Sequence, residues 1–161
     1  MKVLKNFASL IVMGLGVIAL IVFLSAPAVS LTGKVTDTIT NYNGWQVAFG
    51  YTSTNTVLGV SVDVEVLKAS ALAIIALVLV VGGVVMALLS MGKKPKRLFI
   101  LIGVVAFVGA AILMFLSAQG ISFVEKRESI ESLYKIALGA GSIIAGILNA
   151  VAAFFMLLKM L

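Results

Sequence analysis

The chain contains no cysteine and no histidine, only two prolines and one tryptophan, and 11% charged residues among 161. Without cysteine no disulfide forms, and without either residue there is no zinc site of the Cys/His type. The commonest general base and the best thiol nucleophile are missing too. No glycine-rich phosphate loop follows a strand, no carboxylate pair sits at helical spacing in a sheltered place, and no Asn-x-Ser/Thr sequon occurs. A Ser–Lys dyad of Ser129 or Ser132 with Lys135 rests on proximity alone. We therefore expect no enzymatic activity, no cofactor and no metal.

What is present in quantity is apolar surface. The chain is 62% hydrophobic with a mean hydropathy of +1.24, against about 45–50% apolar for a soluble domain. Four apolar runs, near Phe7–Ala28, Lys68–Met91, Leu98–Gly120 and Leu133–Leu158, are each long enough to cross a hydrocarbon core of about 30 Å. The sequence thus predicts an all-α membrane protein, a single domain over residues 1–161. Its core is an antiparallel bundle of four transmembrane helices, with the lipid bilayer as its first partner.

Charge orients this bundle. All six acids, Asp37, Asp63, Glu65, Glu125, Glu128 and Glu131, fall in two segments between spans, 29–67 and 121–132. The other side carries Lys2, Lys5, Lys93, Lys94, Lys96, Arg97 and Lys159 and no acid. Short cytoplasmic loops retain Lys and Arg, so both termini and the 92–97 turn are expected in the cytoplasm of a multi-pass plasma-membrane protein. Lys93, Lys94, Lys96 and Arg97 resemble a nucleic-acid patch in isolation. Between two spans they read as a topology signal, and no nucleic acid is expected.

The first span has two readings. A basic start, a long apolar run and Ala26-Pro27-Ala28 have the form of a cleaved secretory signal. Yet eighteen residues from Phe7 to Leu24 carry no charge, longer than a signal core of about 7–15, which favours a retained helix. Cleavage would leave three spans.

The first outer segment is the one sizeable polar region. Val60 to Val66 alternates strictly between valine and polar residues, a strand pattern. Trp45–Phe49 reads as a second strand behind an Asn43-Gly44 turn signal, and Thr32–Thr40 as a weaker third. A small antiparallel sheet in the first extracellular loop is expected, resting on the helix ends. Tyr42, Trp45, Phe49 and Tyr51 cluster there, as an interfacial anchor or a partner-binding surface. In the second outer segment, Glu131 and Lys135 stand i,i+4 in the favourable order. That spacing predicts that the last helix begins near Glu128, with Lys135 snorkelling outward.

Small residues recur along the spans in alternating steps of three and four. The last span gives Gly139, Ser142, Gly146, Asn149 and Ala153. The second gives Ala69, Ala73, Ala76, Val80, Gly83, Ala87 and Ser90, and the third gives Gly103, Ala106, Ala110, Leu113, Ser117 and Gly120. The first, Ser9, Val12, Gly16, Ala19, Phe23 and Ala26, is weaker. This is the seam of left-handed helix packing, and in lipid small residues let backbones approach closely. A dry, tightly packed interior follows, with no charge in mid-span. Asn149, the one strongly polar side chain deep in a helix, is expected to bond across helices.

Four spans, a strand-bearing larger outer loop with one Trp, a short basic turn and a small second outer loop resemble claudin-like and other tetraspan membrane proteins. The likeness is one of layout. Claudins carry a Trp, then Gly-Leu-Trp and two cysteines in that loop, whereas Gly44-Trp45 stands here without a second Trp or any Cys. Paracellular barrier function is therefore not implied. The segment Gly44-Trp45-Gln46-Val47-Ala48-Phe49-Gly50-Tyr51 is also similar to one in small uncharacterised membrane proteins of Gram-positive-type bacteria. The functional expectation is a non-enzymatic membrane protein whose outer β-rich loop contacts a membrane-protein partner or copies of itself. The alternative is a subunit of an oligomeric channel or transporter.

Overall fold

A computed structural model describes residues 2–57, 60–91 and 97–160. Four helices carry the architecture: α1 (Lys2–Ser25), α3 (Ala71–Leu89), α4 (Arg97–Phe115) and α7 (Ala140–Leu158). Each contains a 19-residue stretch apolar enough to cross a membrane. At about 1.5 Å per residue, that is roughly the thickness of a hydrocarbon core. In space they form a ring in which α1 touches α3 and α7, and α4 touches α3 and α7. Every ring neighbour is antiparallel.

Burial follows the three-and-four period. The buried set includes Ser9, Val12, Ala19 and Phe23 of α1, Ala73, Ala76, Val80 and Ala87 of α3, Ala106 and Ala110 of α4, and Ser142, Asn149 and Ala153 of α7. Gly83, Gly103, Gly139 and Gly146 are buried with them. Ala69 is exposed, and Leu113 and Gly120 are half-buried. The small residues receive large ones. Phe107, wholly buried, packs where a Cβ on Gly16 or Gly83 would stand. Met156 does the same against Gly103, and Phe115 against Gly146. The outward faces are Ile, Leu, Val and Phe, among them Val78 and Val105. An apolar exterior around a small-residue interior is the inverse of a soluble bundle and suits a lipid solvent.

At one end of the bundle lies a β-rich cap made of two sheets rather than one. The first has the order β2-β1-β6, from β1 (Pro27–Gly33), β2 (Ile39–Asn43) and β6 (Tyr134–Leu138). The second has the order β3-β4-β5, from β3 (Tyr51–Val57), β4 (Val60–Lys68) and β5 (Ser122–Phe123). All pairings are antiparallel. Both outer segments contribute to each sheet, so the cap ties α1, α3, α4 and α7 together. The fold is therefore mostly helical but not all-α.

Several sequence expectations are corrected here. Thr32–Thr40 is not one strand: β1 ends at Gly33, a turn follows, and β2 begins at Ile39 and pairs back on β1. Trp45–Phe49 is not a strand but part of a short helix, α2 (Gly44–Phe49). The Asn43 side chain accepts from Gln46 N (2.9 Å), and Gln46 Oε1 accepts from Asn43 N (3.1 Å). This reciprocal capping box turns an apparent hairpin turn into a helix start. Gly50, at φ 91°, then ends the helix in a conformation that favours glycine. The last span starts at Ala140, not near Glu128 or Leu133. A separate short helix, α6 (Arg127–Leu133), and β6 intervene. Glu131 consequently pairs with Arg127 within α6, while Lys135 lies in β6 opposite Thr32. The first span ends at Ser25, since Pro27 and Ala28 belong to β1. Lys93, Lys94 and Lys96 lie outside the described residues, and Arg97 opens α4 exposed.

Candidate functional site

The cap holds the four aromatic residues singled out from sequence, but it divides them. Tyr42 is buried, and its ring meets Tyr51 edge-on with centroids 5.9 Å apart. Burial, then the proximity of Tyr51 and of Tyr134, pushes the Tyr42 phenol above its usual pKa. These two rings belong to the interior of the cap. Trp45 and Phe49, one turn apart on α2, face outward instead, 57% and 50% exposed. Their centroids lie 4.5 Å apart, so they form one continuous aromatic surface.

That surface stands on a rigid base. The opposite face of α2 buries Val47 and Ala48, and Ser70 N donates to the carbonyls of both, each at 3.2 Å. Gly44 presses on the end of α1 so closely that a Cβ there would lie 2.3 Å from Phe23 O. Ser70 in turn caps α3 and donates to Gly120 O (2.7 Å). Backbone-level contacts to α1 and α3 thus position two exposed rings.

A groove of about 320 Å³ opens between the two sheets. The inner face of the first sheet floors it with Leu31, Thr40, Tyr42 and Tyr134. Val64, Glu65 and Val66 of β4 form one wall with Phe123, Val124 and Glu125, and Ile130 and Leu133 of α6 form the other. Two cations hold α6 in place. Arg127 donates to Gln119 O (2.6 Å) and Ala118 O (3.3 Å) while pairing with Glu131. The Lys34 backbone N–H donates to Leu133 O (2.9 Å), and its ammonium to Glu131 O. No such partner serves Glu65 or Glu125, whose carboxylates have neither hydrogen bond nor ion pair among the described residues.

A second polar cluster lies at the opposite end of the bundle, and sequence reasoning missed it. Lys159 is only 7% exposed, and its ammonium donates to Ser90 O (2.9 Å), Ser90 Oγ (2.8 Å) and Ser9 Oγ. Ser90 Oγ also lies 2.7 Å from Ala87 O, to which it donates. The signal was there: Ser9 opens the seam of α1, Ser90 closes that of α3, and Lys159 follows α7. All three of the lysine's protons face oxygen acceptors, so it offers no base to a neighbouring hydroxyl. The cluster is a staple joining α1, α3 and α7.

Within the bundle, Ser117 and Ser142 share a hydrogen bond of 2.7 Å. Asn149 Nδ2 donates to Ala145 O (2.8 Å) on its own helix and to Met114 Sδ (3.2 Å) on α4, while its Oδ1 has no partner among the described residues. The bond expected across helices therefore ends on a thioether. No group of three or more metal-ligating side chains occurs among the described residues. No protein-family model, curated protein or solved structure matches the chain.

Proposed function

We propose that this chain is a plasma-membrane tetraspan protein without catalytic activity of its own, whose β-rich cap is an extracellular protein-interaction surface. The observation that carries the reading is the Trp45–Phe49 pair, exposed and in tilted ring contact on a helix fixed by a capping box and by backbone contacts to α1 and α3. Rigid aromatic side chains of this kind are the usual anchors of protein interfaces. A partner embedded in the same membrane meets such a surface edge to edge.

The test is a photo-crosslinking residue in place of Phe49, used in intact membranes. A discrete protein adduct is expected. Trp45→Ala should reduce it at least about tenfold, the scale of a hot-spot loss of roughly 1.4–2 kcal/mol. The same substitution should leave the stability of the bundle within about 0.5 kcal/mol, as for other surface changes. Adducts to lipid alone, or adducts indifferent to Trp45, would count against the cap as an interaction surface.

The orientation is carried by charge. All six acids lie in the cap segments, while Arg97 and Lys159 lie at the other end. A chain without cysteine lends itself to a direct check. Glu128→Cys should react in intact cells with a membrane-impermeant maleimide, and Met91→Cys only after permeabilisation. The reverse pattern would invert the topology.

A further inference from the structure

We infer that the groove between the two sheets is a strand-addition site for an extended, basic segment of a partner polypeptide. This rests on the reading of the cap as an interaction surface and supplies its partner chemistry. β4 is nine residues long, but β5 pairs with Leu67 and Lys68 alone. Val124 N still donates to Val66 O (3.3 Å), after which the chain turns away through Glu125 towards α6. Backbone groups of alternate residues in an antiparallel strand point to the same edge. The register with β3 carries Ser53↔Val64 and a bulge at Val66, and no described strand lies along the opposite edge of β4 N-terminal to Val66. The other edge of β4 is paired along its length with β3. A strand entering in line with β5 extends the ladder beyond Val66 and lies in the groove. Main-chain bonds would supply affinity, and the pockets for alternate side chains specificity.

The side chains around that edge select the occupant. Val64, Val66 and Phe123 offer apolar contacts to every second residue of an added strand. Asp63 and Glu65 share the other face of β4, and Glu125 lies on the same wall of the groove as Glu65. Of the three, only Asp63 has a partner, the Thr54 hydroxyl at 2.6 Å. Opposite charges on facing strands attract and like charges repel. A second copy pairing through its own β4 is thereby disfavoured, because an antiparallel ladder centred on Val64 sets Asp63 against Glu65 twice. What fits is a segment alternating apolar and Lys or Arg residues.

The probe is a capped, fluorescent heptapeptide alternating Val and Lys, titrated into the full-length protein in detergent and read by anisotropy and by amide hydrogen exchange. Saturable binding is expected, with slowed exchange confined to the β4 segment. The Glu65→Gln/Glu125→Gln double variant should bind at least about tenfold more weakly. So should the same peptide with its edge-facing amides N-methylated, since it keeps its charge but cannot join a ladder. Equal binding of the N-methylated peptide, no change in the double variant, or no protection in β4 would each overturn strand addition. Failure here with Trp45-dependent crosslinking intact sinks only the groove; loss of both sinks the interaction reading.

Discussion

Gly139→Ala should destabilise the protein by about 3 kcal/mol or more, at the upper end of the range for overpacking. Gly139 precedes α7 with φ −79° and ψ 158°, a conformation open to any L-residue, so backbone strain plays no part. The cost is steric. A Cβ at this position would lie 2.2 Å from Pro27 O and 2.6 Å from Pro27 C. Both atoms are backbone and cannot rotate away. The Gly139 N–H also donates to Ala28 O (2.8 Å), so relief by moving α7 aside breaks the bond that seats it on β1. Gly141 repeats the arrangement against Ala26 O at 2.8 Å. Gly14→Ala and Gly82→Ala are the controls: nothing lies within 4 Å of either new methyl, and helix propensity favours alanine by up to about 1 kcal/mol. Unfolding by SDS in mixed micelles, followed by circular dichroism, should separate the two pairs by several kcal/mol. A Gly139→Ala protein as stable as the Gly82→Ala one would mean that α7 does not meet β1 as described.

The contrast between these glycines shows which parts of the fold a sequence makes legible. Gly83 and Gly103 lie on a repeating seam, because helices packed in lipid need small residues at every turn of the contact, and a repeated need leaves a period. Gly139 falls on the same seam, but its closest neighbour is β1, more than a hundred residues earlier. No local period announces that meeting. β6 was hidden for a related reason. Tyr134–Leu138 is apolar apart from Lys135 and runs into an apolar helix, so only its pairing with Val29–Gly33 separates strand from span.

The candidate site was legible in its residue types and not in their arrangement. Tyr42, Trp45, Phe49 and Tyr51 stand out as a cluster in the polar cap segment, but spacing alone does not say which face out. Asn43-Gly44 serves a hairpin and a helix start equally well. Gln46, reaching back to Asn43 N, decides for the helix, and the helical period then puts Trp45 and Phe49 on one exposed face. The groove lay beyond sequence reasoning because its floor, walls and end come from both cap segments.

Lys159→Met should cost about 2 kcal/mol, and Lys159→Glu clearly more. Lys159 follows α7, its ammonium binds the carbonyl and hydroxyl of Ser90 at the end of α3, and a third proton goes to Ser9 near the start of α1. Among the described residues no Asp or Glu side chain pairs with it. The compensating negative charge comes from the free carbonyls at the ends of α3 and α7, where a cation is favoured. Hydrogen bonds from a charged donor contribute about 1.5–3 kcal/mol each, but burying the ammonium offsets part of that. Met keeps the apolar stem and removes the charge together with its desolvation cost. Ser90 Oγ keeps its bond to Ala87 O, so the net loss is modest. Glu places like charge against two helix ends and asks Ser90 O to face an anion, which converts attraction into repulsion at the same spot. The same unfolding titration ranks the variants, and faster amide exchange at the Ser9 turn of α1 should accompany both. If Lys159→Glu is as stable as Lys159→Met, the helix ends do not supply the counter-charge, and the lysine is a surface cation folded back by chance.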